Sequence, residues 1–196
     1  MNKNIRLYRM TAAALLSAVG IVIPMFMPFP FKIIIEPASY TLTSHVAVFL
    51  AMFISPPVAV AVSLGTTLGF FLGGFPIVIV LRALTHVIFS LAGALWLKRH
   101  PHTLATFRGK LTLSSALAVI HAICEVLVVI PFYFGNMLAA KSYDSGFLYS
   151  VILLVGVGTL VHSSVDFFIS VYLWKALTRS RSISEISTVT FRPSAN

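Results

Sequence analysis

Charge is scarce in this sequence. Only 10% of the 196 residues are Asp, Glu, Lys or Arg, where a soluble domain carries about 25%. So little charge excludes a water-soluble globule. An apolar share of 58% excludes a disordered chain as well. Acidic residues are rarer still, 5 against 14 Lys and Arg. There is a single cysteine, Cys124, inside an apolar run, so no intrachain disulfide can form. No cysteine pair and no His-x-x-x-His occurs, and no metal and no cofactor are expected. No Gly-x-x-x-x-Gly-Lys-Ser/Thr loop occurs either, so the chain has no ATPase site of its own and is not expected to be an enzyme. Nor is there an internal repeat of the kind that builds many secondary transporters.

What the sequence has instead is long apolar runs. They fall at 10–28, 39–54, 57–74, 76–97, 112–134 and 147–174, separated by Pro28-Phe-Pro30, Pro56-Pro57 and Gly73-Gly74-Phe-Pro76. Proline and glycine at these points break helices and set turns. The expected fold is an all-α integral membrane protein of six transmembrane helices, filling residues 1–178 as one domain. Residues 179–196 are expected to form a polar, mobile cytoplasmic tail. The second and third runs, 16 and 18 residues, are short against the ~20 a span needs. The first run lacks a small-residue cleavage site and reads as an uncleaved helix rather than a signal peptide.

Basic residues orient the spans. Eleven lie in three segments: Lys3, Arg6 and Arg9; Lys98, Arg99, Arg108 and Lys110; Lys175, Arg179, Arg181 and Arg192. Only Lys32 and Lys141 fall in the opposite loops, beside Glu36 and Asp144. Basic residues mark cytoplasmic loops, so both termini are expected in the cytoplasm of a cell membrane. The same reading makes the high pI a topological signal and excludes nucleic acid as a partner.

Ionisable residues inside spans cost at least ~2.5–3.5 kcal/mol each and therefore face the interior. Three pairs spaced i,i+4 stand out: Arg82 with His86, His121 with Glu125, and His162 with Asp166. Each pair shares one helix face. At 1.5 Å rise per residue, Arg82 and Glu125 lie at similar depth below the outer ends of their helices. They can share an outward cavity with His86. Arg82 either anchors an anion through its bidentate fork or neutralises Glu125 as interhelical glue. Asp166 is expected in the inner half, too deep for that cavity, bonded to His162. His45 on the second run is undecided between the two roles. The first outer loop, 29–41, mixes aromatics, Lys32, Glu36 and hydroxyls, and Tyr40 and Thr41 at its end can cap the cavity. Asn136, from the loop with Tyr133 and Tyr143, is a second candidate lid residue.

The first run is rich in small residues, with Ala14 four before Ala18. Such a face lets another helix approach closely, within this chain or on a partner.

Together these features resemble the substrate-binding S components of energy-coupling-factor (ECF) vitamin transporters. The resemblance rests on Arg9-Met-Thr-Ala-Ala-Ala-Leu-Leu-Ser-Ala, with Ala14-xxx-Ala18 as the alanine motif. It rests also on the stretch from His45 to Pro56, on Gly65-Thr-Thr-Leu-Gly-Phe-Phe, and on Gly74-Phe-Pro-Ile-Val-Ile-Val-Leu-Arg-Ala-Leu-Thr-His86. It covers residues 5–175. It implies six spans, capture of one vitamin beneath the first outer loop, and docking through the alanine face on a transmembrane T component driven by two cytoplasmic ATPase subunits. Pro37-Ala-Ser-Tyr-Thr and Val80-Leu-Arg-Ala-Leu-Thr-His86 are most similar to the niacin-type branch. The pantothenate and hydroxymethylpyrimidine/pyridoxine branches are close competitors. Arg82, the one cation deep in a span, suits a small carboxylate. Glu125 disfavours an anion unless it pairs with Arg82 or is protonated. From another class, a small stand-alone proton-coupled secondary transporter can route protons through His121, Glu125, His162 and Asp166, although the missing repeat argues against it. An intramembrane enzyme and a structural assembly factor are further rivals with no motif to support them.

Overall fold

The computed structural model describes residues 3–35 and 37–192. Glu36, proposed from sequence as part of the outer loop, lies outside the described residues. The elements run α1 (Lys3–Phe26), β1 (Lys32–Ile35), β2 (Ala38–Thr41), α2 (Val46–Ile54), α3 (Pro56–Leu72), α4 (Ile77–Arg99) and α5 (Phe107–Phe134). A continuous helix α6 (Leu148–Leu177) and a short α7 (Arg181–Ile186) follow. Local chemistry places these ends. Pro56 opens α3 where a missing N–H costs nothing. Thr106 caps α5, its hydroxyl accepting the Gly109 N–H at 3.1 Å. Lys98 and Arg99 occupy the last turn of α4, where the helix dipole favours cations.

The protein is a multi-pass helical membrane protein. Four of its helices, α1, α4, α5 and α6, are long and apolar enough to cross a bilayer, and α3 is a shorter apolar helix. The second expected span is different. The apolar run 39–54 divides into the end of the second strand of an antiparallel hairpin and a half-length helix. In the hairpin Lys32 pairs with Thr41 and Ile33 with Tyr40. The helix α2 has nine residues, about 14 Å at 1.5 Å per residue, and cannot span ~30 Å of hydrocarbon. It sits at the centre of the bundle, against α1, α3, α4 and α6, and all nine of its residues are buried. Phe49, Met52 and Phe53 meet Phe89, Phe167 and Trp174 there. Lipid tails are as apolar as these side chains, so tight packing rather than the hydrophobic effect holds the group together. Gly20 on α1 shows how tight: a Cβ there would collide with Thr66 of α3 and crowd Ala47 of α2.

The first ten residues of α6, Leu148–Val157, are wound as a π-helix. Such segments leave backbone carbonyls available to other donors and are frequent at functional sites.

Within the expected tail, the described residues 181–192 fold back across one end of the bundle. The Thr188 N–H donates to the Phe53 carbonyl at 2.9 Å and its hydroxyl to that of Ile54 at 2.5 Å. These contacts serve carbonyls that the last turn of α2 leaves open. The Thr190 N–H donates to Pro101, Trp174 Nε1 donates to the Ser187 hydroxyl, and Arg9 donates to the Ile186 carbonyl. Hydroxyl-rich sequence here supplies bonds to the protein rather than to water. The start of α1, the loop around residue 101 and the tail therefore meet at the same end.

Candidate functional site

At the other end, the hairpin covers a cavity lined by residues of α1, α3, α4, α5 and α6 and by the turn before α2. Most of its polar lining comes from Lys32, Tyr40, Thr41, His45, Arg82 and His86, with Glu125, Thr159 and His162.

Glu125 is the hub. Its Oε2 accepts from Arg82 Nη2 at 2.8 Å and from the Thr159 hydroxyl at 2.7 Å. Its Oε1 lies 3.4 Å from His121 Nε2 and 3.8 Å from His86 Nε2. The i,i+4 spacing on α4 and on α5 brings these groups to one place because both helices turn that face inward. Depth counted along each helix puts Arg82 and Glu125 level, and the structure joins them in an ion pair. Pairing removes most of the cost of a charge in a span. It does not use up the guanidinium. Nη1 makes one bond of 3.3 Å to the Pro37 carbonyl of the hairpin. Nε is buried without a hydrogen-bond partner among the described residues. Donors therefore remain for a ligand at a group whose position Glu125 fixes.

Asp166 lines no part of the cavity, but it holds what does. Its two carboxylate oxygens accept the Thr43 N–H at 2.8 Å and the His45 N–H at 3.0 Å. His45 Nδ1 is 3.2 Å from Oδ2, and His162 Nε2 is 3.5 Å from it. An anion at the positive end of a helix whose first N–H groups lack partners is the arrangement backbone physics favours. The expected contact with His162 is present, and Asp166 is glue between helices. It reaches cavity-lining residues because the chain descends to it: α2 begins midway through the bundle, not at its edge.

Tyr40 is latched. Its hydroxyl donates to the Leu154 carbonyl in the π-helical segment. Burial raises its phenol above the ordinary value, which keeps the proton needed for that bond. The ring lies over Gly158, where any Cβ would strike the hydroxyl and ring. Thr41 is buried and lines the cavity.

Asn136 is a correction. It does not reach the cavity: it is exposed, in the left-handed turn that ends α5 (φ 53°). Asparagine tolerates that conformation, so the residue serves the turn. Lys32 is the opposite case. From the first outer loop it lines the cavity, with Nζ donating to the Pro24 carbonyl at 2.9 Å. The cavity thus has a second cation. Thr159, His45 and His162 complete the lining that sequence reasoning missed or left undecided. The i,i+4 partner of Asp166 was the one available signal for His162.

The histidines form a further group. His45, His86 and His121 are mutual neighbours, with ring centres 4.8, 4.8 and 4.9 Å apart. The three come from the turn before α2, from α4 and from α5, so no motif with metal-ligand spacing appears in the sequence.

On α1, the two candidate faces separate. Ala13 and Ser17 turn inward, and Ser17 fits against Gly65. Ala14 and Ala18 are exposed, as are Leu15, Val19 and Val22.

The chain is similar to the niacin transporter NiaX of Lactococcus lactis subsp. cremoris (strain MG1363), with 39% identity over 178 residues, covering 91% of this chain and 78% of that protein. No family model matches the chain, and no solved structure matches it.

Proposed function

The chain belongs to the family of the niacin transporter NiaX, and we propose that it is the substrate-capturing S component of an ATP-driven ECF uptake system, with nicotinate as its ligand. The observation that carries the reading is Arg82, a buried guanidinium on the cavity wall with no partner for Nε among the described residues and with Glu125 holding it in place. Its open donors would take the carboxylate, with Lys32 adding positive charge. His86 would lie beside the ring, and Tyr40 and Thr41 would close over it. The cavity measures about 90 Å³. A cavity this small suits a one-ring acid better than the longer pantothenate.

The test is binding by the purified chain, comparing nicotinate with nicotinamide, which has the ring but no anion. Nicotinate is expected to bind at least about 100-fold more tightly, the loss of roughly two charge-assisted bonds. Equal binding of the two would show that no carboxylate is read.

The exposed Ala14 and Ala18 support docking of α1 on the T component of the ECF module, since only small side chains permit close helix approach. Two cytoplasmic ATPases would supply the energy. Ala14→Trp and Ala18→Trp are expected to leave ligand binding by the isolated chain unchanged and to abolish uptake by the assembled system. Uptake at the normal rate by both variants would remove this assignment.

The shared end of the N-terminal segment, the loop around residue 101 and the tail supports a topology with both termini in the cytoplasm and six membrane-inserted helical segments, α2 being half-length. Cysteine placed at Lys141 should react with an impermeant thiol reagent on intact cells, and cysteine at Arg108 only after permeabilisation. Equal labelling from outside would overturn this map.

A further inference from the structure

We propose that His45, His86 and His121 form a binding site for one divalent transition-metal ion of the zinc type. In the nicotinate reading, on which this second step rests, the open coordination position of the ion takes the pyridine nitrogen of the ligand.

The geometry comes first. One ring nitrogen from each of the three histidines lies within 4.8 Å of one from each of the others. The rings stand nearly perpendicular to one another, at 75°, 80° and 89°. Zinc binds imidazole nitrogen at about 2.0–2.1 Å in a tetrahedral arrangement. The ring centre lies about 1.1 Å beyond the nitrogen, so three such ligands put their ring centres about 5 Å apart. The observed 4.8–4.9 Å matches this spacing.

The hydrogen bonds come second. His45 has Nδ1 beside the Asp166 carboxylate, and His121 has Nδ1 3.2 Å from the Ser163 hydroxyl. A ligating histidine almost always has its other nitrogen held in this way, by a carboxylate or another polar group, which fixes ring and tautomer. The remaining nitrogen of His121, Nε2, is buried and meets no hydrogen-bond geometry among the described residues, with Glu125 Oε1 3.4 Å away. It is the nitrogen of His121 left for an ion, which would sit beside that carboxylate. Glu125, with Oε1 near both His86 and His121, adds negative charge beside the ion.

The position comes third. His45 and His86 line the cavity while His121 lies behind them, fully buried. Three protein ligands leave a fourth position, as zinc sites that receive small molecules do. It would open into the cavity that Arg82 also lines. A pyridine nitrogen is a ligand of the same kind as imidazole. The ion and Arg82 would then read the two ends of nicotinate.

The experiment uses the full chain in detergent, stripped with EDTA and titrated with Co²⁺ as the spectroscopic probe and Zn²⁺ as its competitor. We expect one equivalent of Co²⁺ with the intense visible absorption of four-coordination, displaced by Zn²⁺. His86→Gln and His121→Gln should each weaken Co²⁺ binding by about tenfold or more while elution from a sizing column is unchanged. Nicotinate should shift the Co²⁺ bands and benzoate, lacking the ring nitrogen, should not. Stripping metal should weaken nicotinate binding by about tenfold or more. Absence of saturable Co²⁺ or Zn²⁺ binding, with nicotinate still bound, overturns the metal site and leaves the proposed function standing. Stoichiometric metal with no nicotinate binding overturns the proposed function and the ring-nitrogen step, and upholds the metal site.

Discussion

Replacing Arg82 with Met and Glu125 with Gln together should give a folded chain whose affinity for nicotinate has fallen by about 10²–10⁴-fold. The double change is needed because Glu125 is 4% exposed and the Arg82 guanidinium is the only Lys or Arg group recorded in an ion pair with it among the described residues. Arg82→Met alone would strand a buried carboxylate, which typically costs 3–5 kcal/mol and confuses folding with binding. Removing both charges leaves the helices packed and takes away only the anion receptor. Two charge-assisted bonds at about 1.5–3 kcal/mol each set the expected loss. Arg82→Lys keeps the charge and loses the fork, and should fall between the wild type and the double variant. Calorimetric titration of the purified chains decides the matter. If the double variant binds nicotinate normally, the pair is only a structural bridge between α4 and α5.

Asp166→Ala should destabilise the fold by about 3–5 kcal/mol. The carboxylate accepts two backbone N–H groups at the start of α2 and faces His45. Each hydrogen bond to a charged group contributes about 1.5–3 kcal/mol, and a donor left bare in a span regains nothing from water. Asp166→Asn keeps one acceptor oxygen but turns an amide N–H₂ towards a donor, so it should recover only part of the loss. Thermal unfolding in detergent measures both. A melting temperature unchanged by Asp166→Ala would mean that α2 does not depend on this contact.

Much of this architecture is legible in the residues alone, and the limits are physical. The long helices show because their apolar runs end in Pro, Gly or basic clusters. Arg82 and Glu125 could be matched because depth along a regular helix is a matter of counting. Azimuth is not: nothing in the sequence says which way a helix is turned about its axis. That is why Asn136 appeared to be a lid, and why the meeting of His45, His86 and His121 was invisible. The run 39–54 failed for another reason. Hydropathy does not separate a strand from a helix, so the end of β2 and α2 read as one apparent span. In the tail, serine and threonine suit water and open carbonyls equally well, so composition alone does not say which they serve.

The half-length α2 also constrains the order in which the protein is made. Its first turn is held by Asp166, 121 residues downstream of His45, and its last turn by Thr188, 134 residues downstream of Ile54. When α2 leaves the ribosome, neither anchor has been synthesised. Nine residues are too few to be threaded across as a span of their own. Until the anchors follow, α2 has only α1, α3 and α4 to pack on. Its two ends are tied last, the first when α6 enters the membrane and the second when the tail follows. A nascent chain stopped before residue 166 would hold its earlier helices in the bilayer with the turn beneath the hairpin still untied.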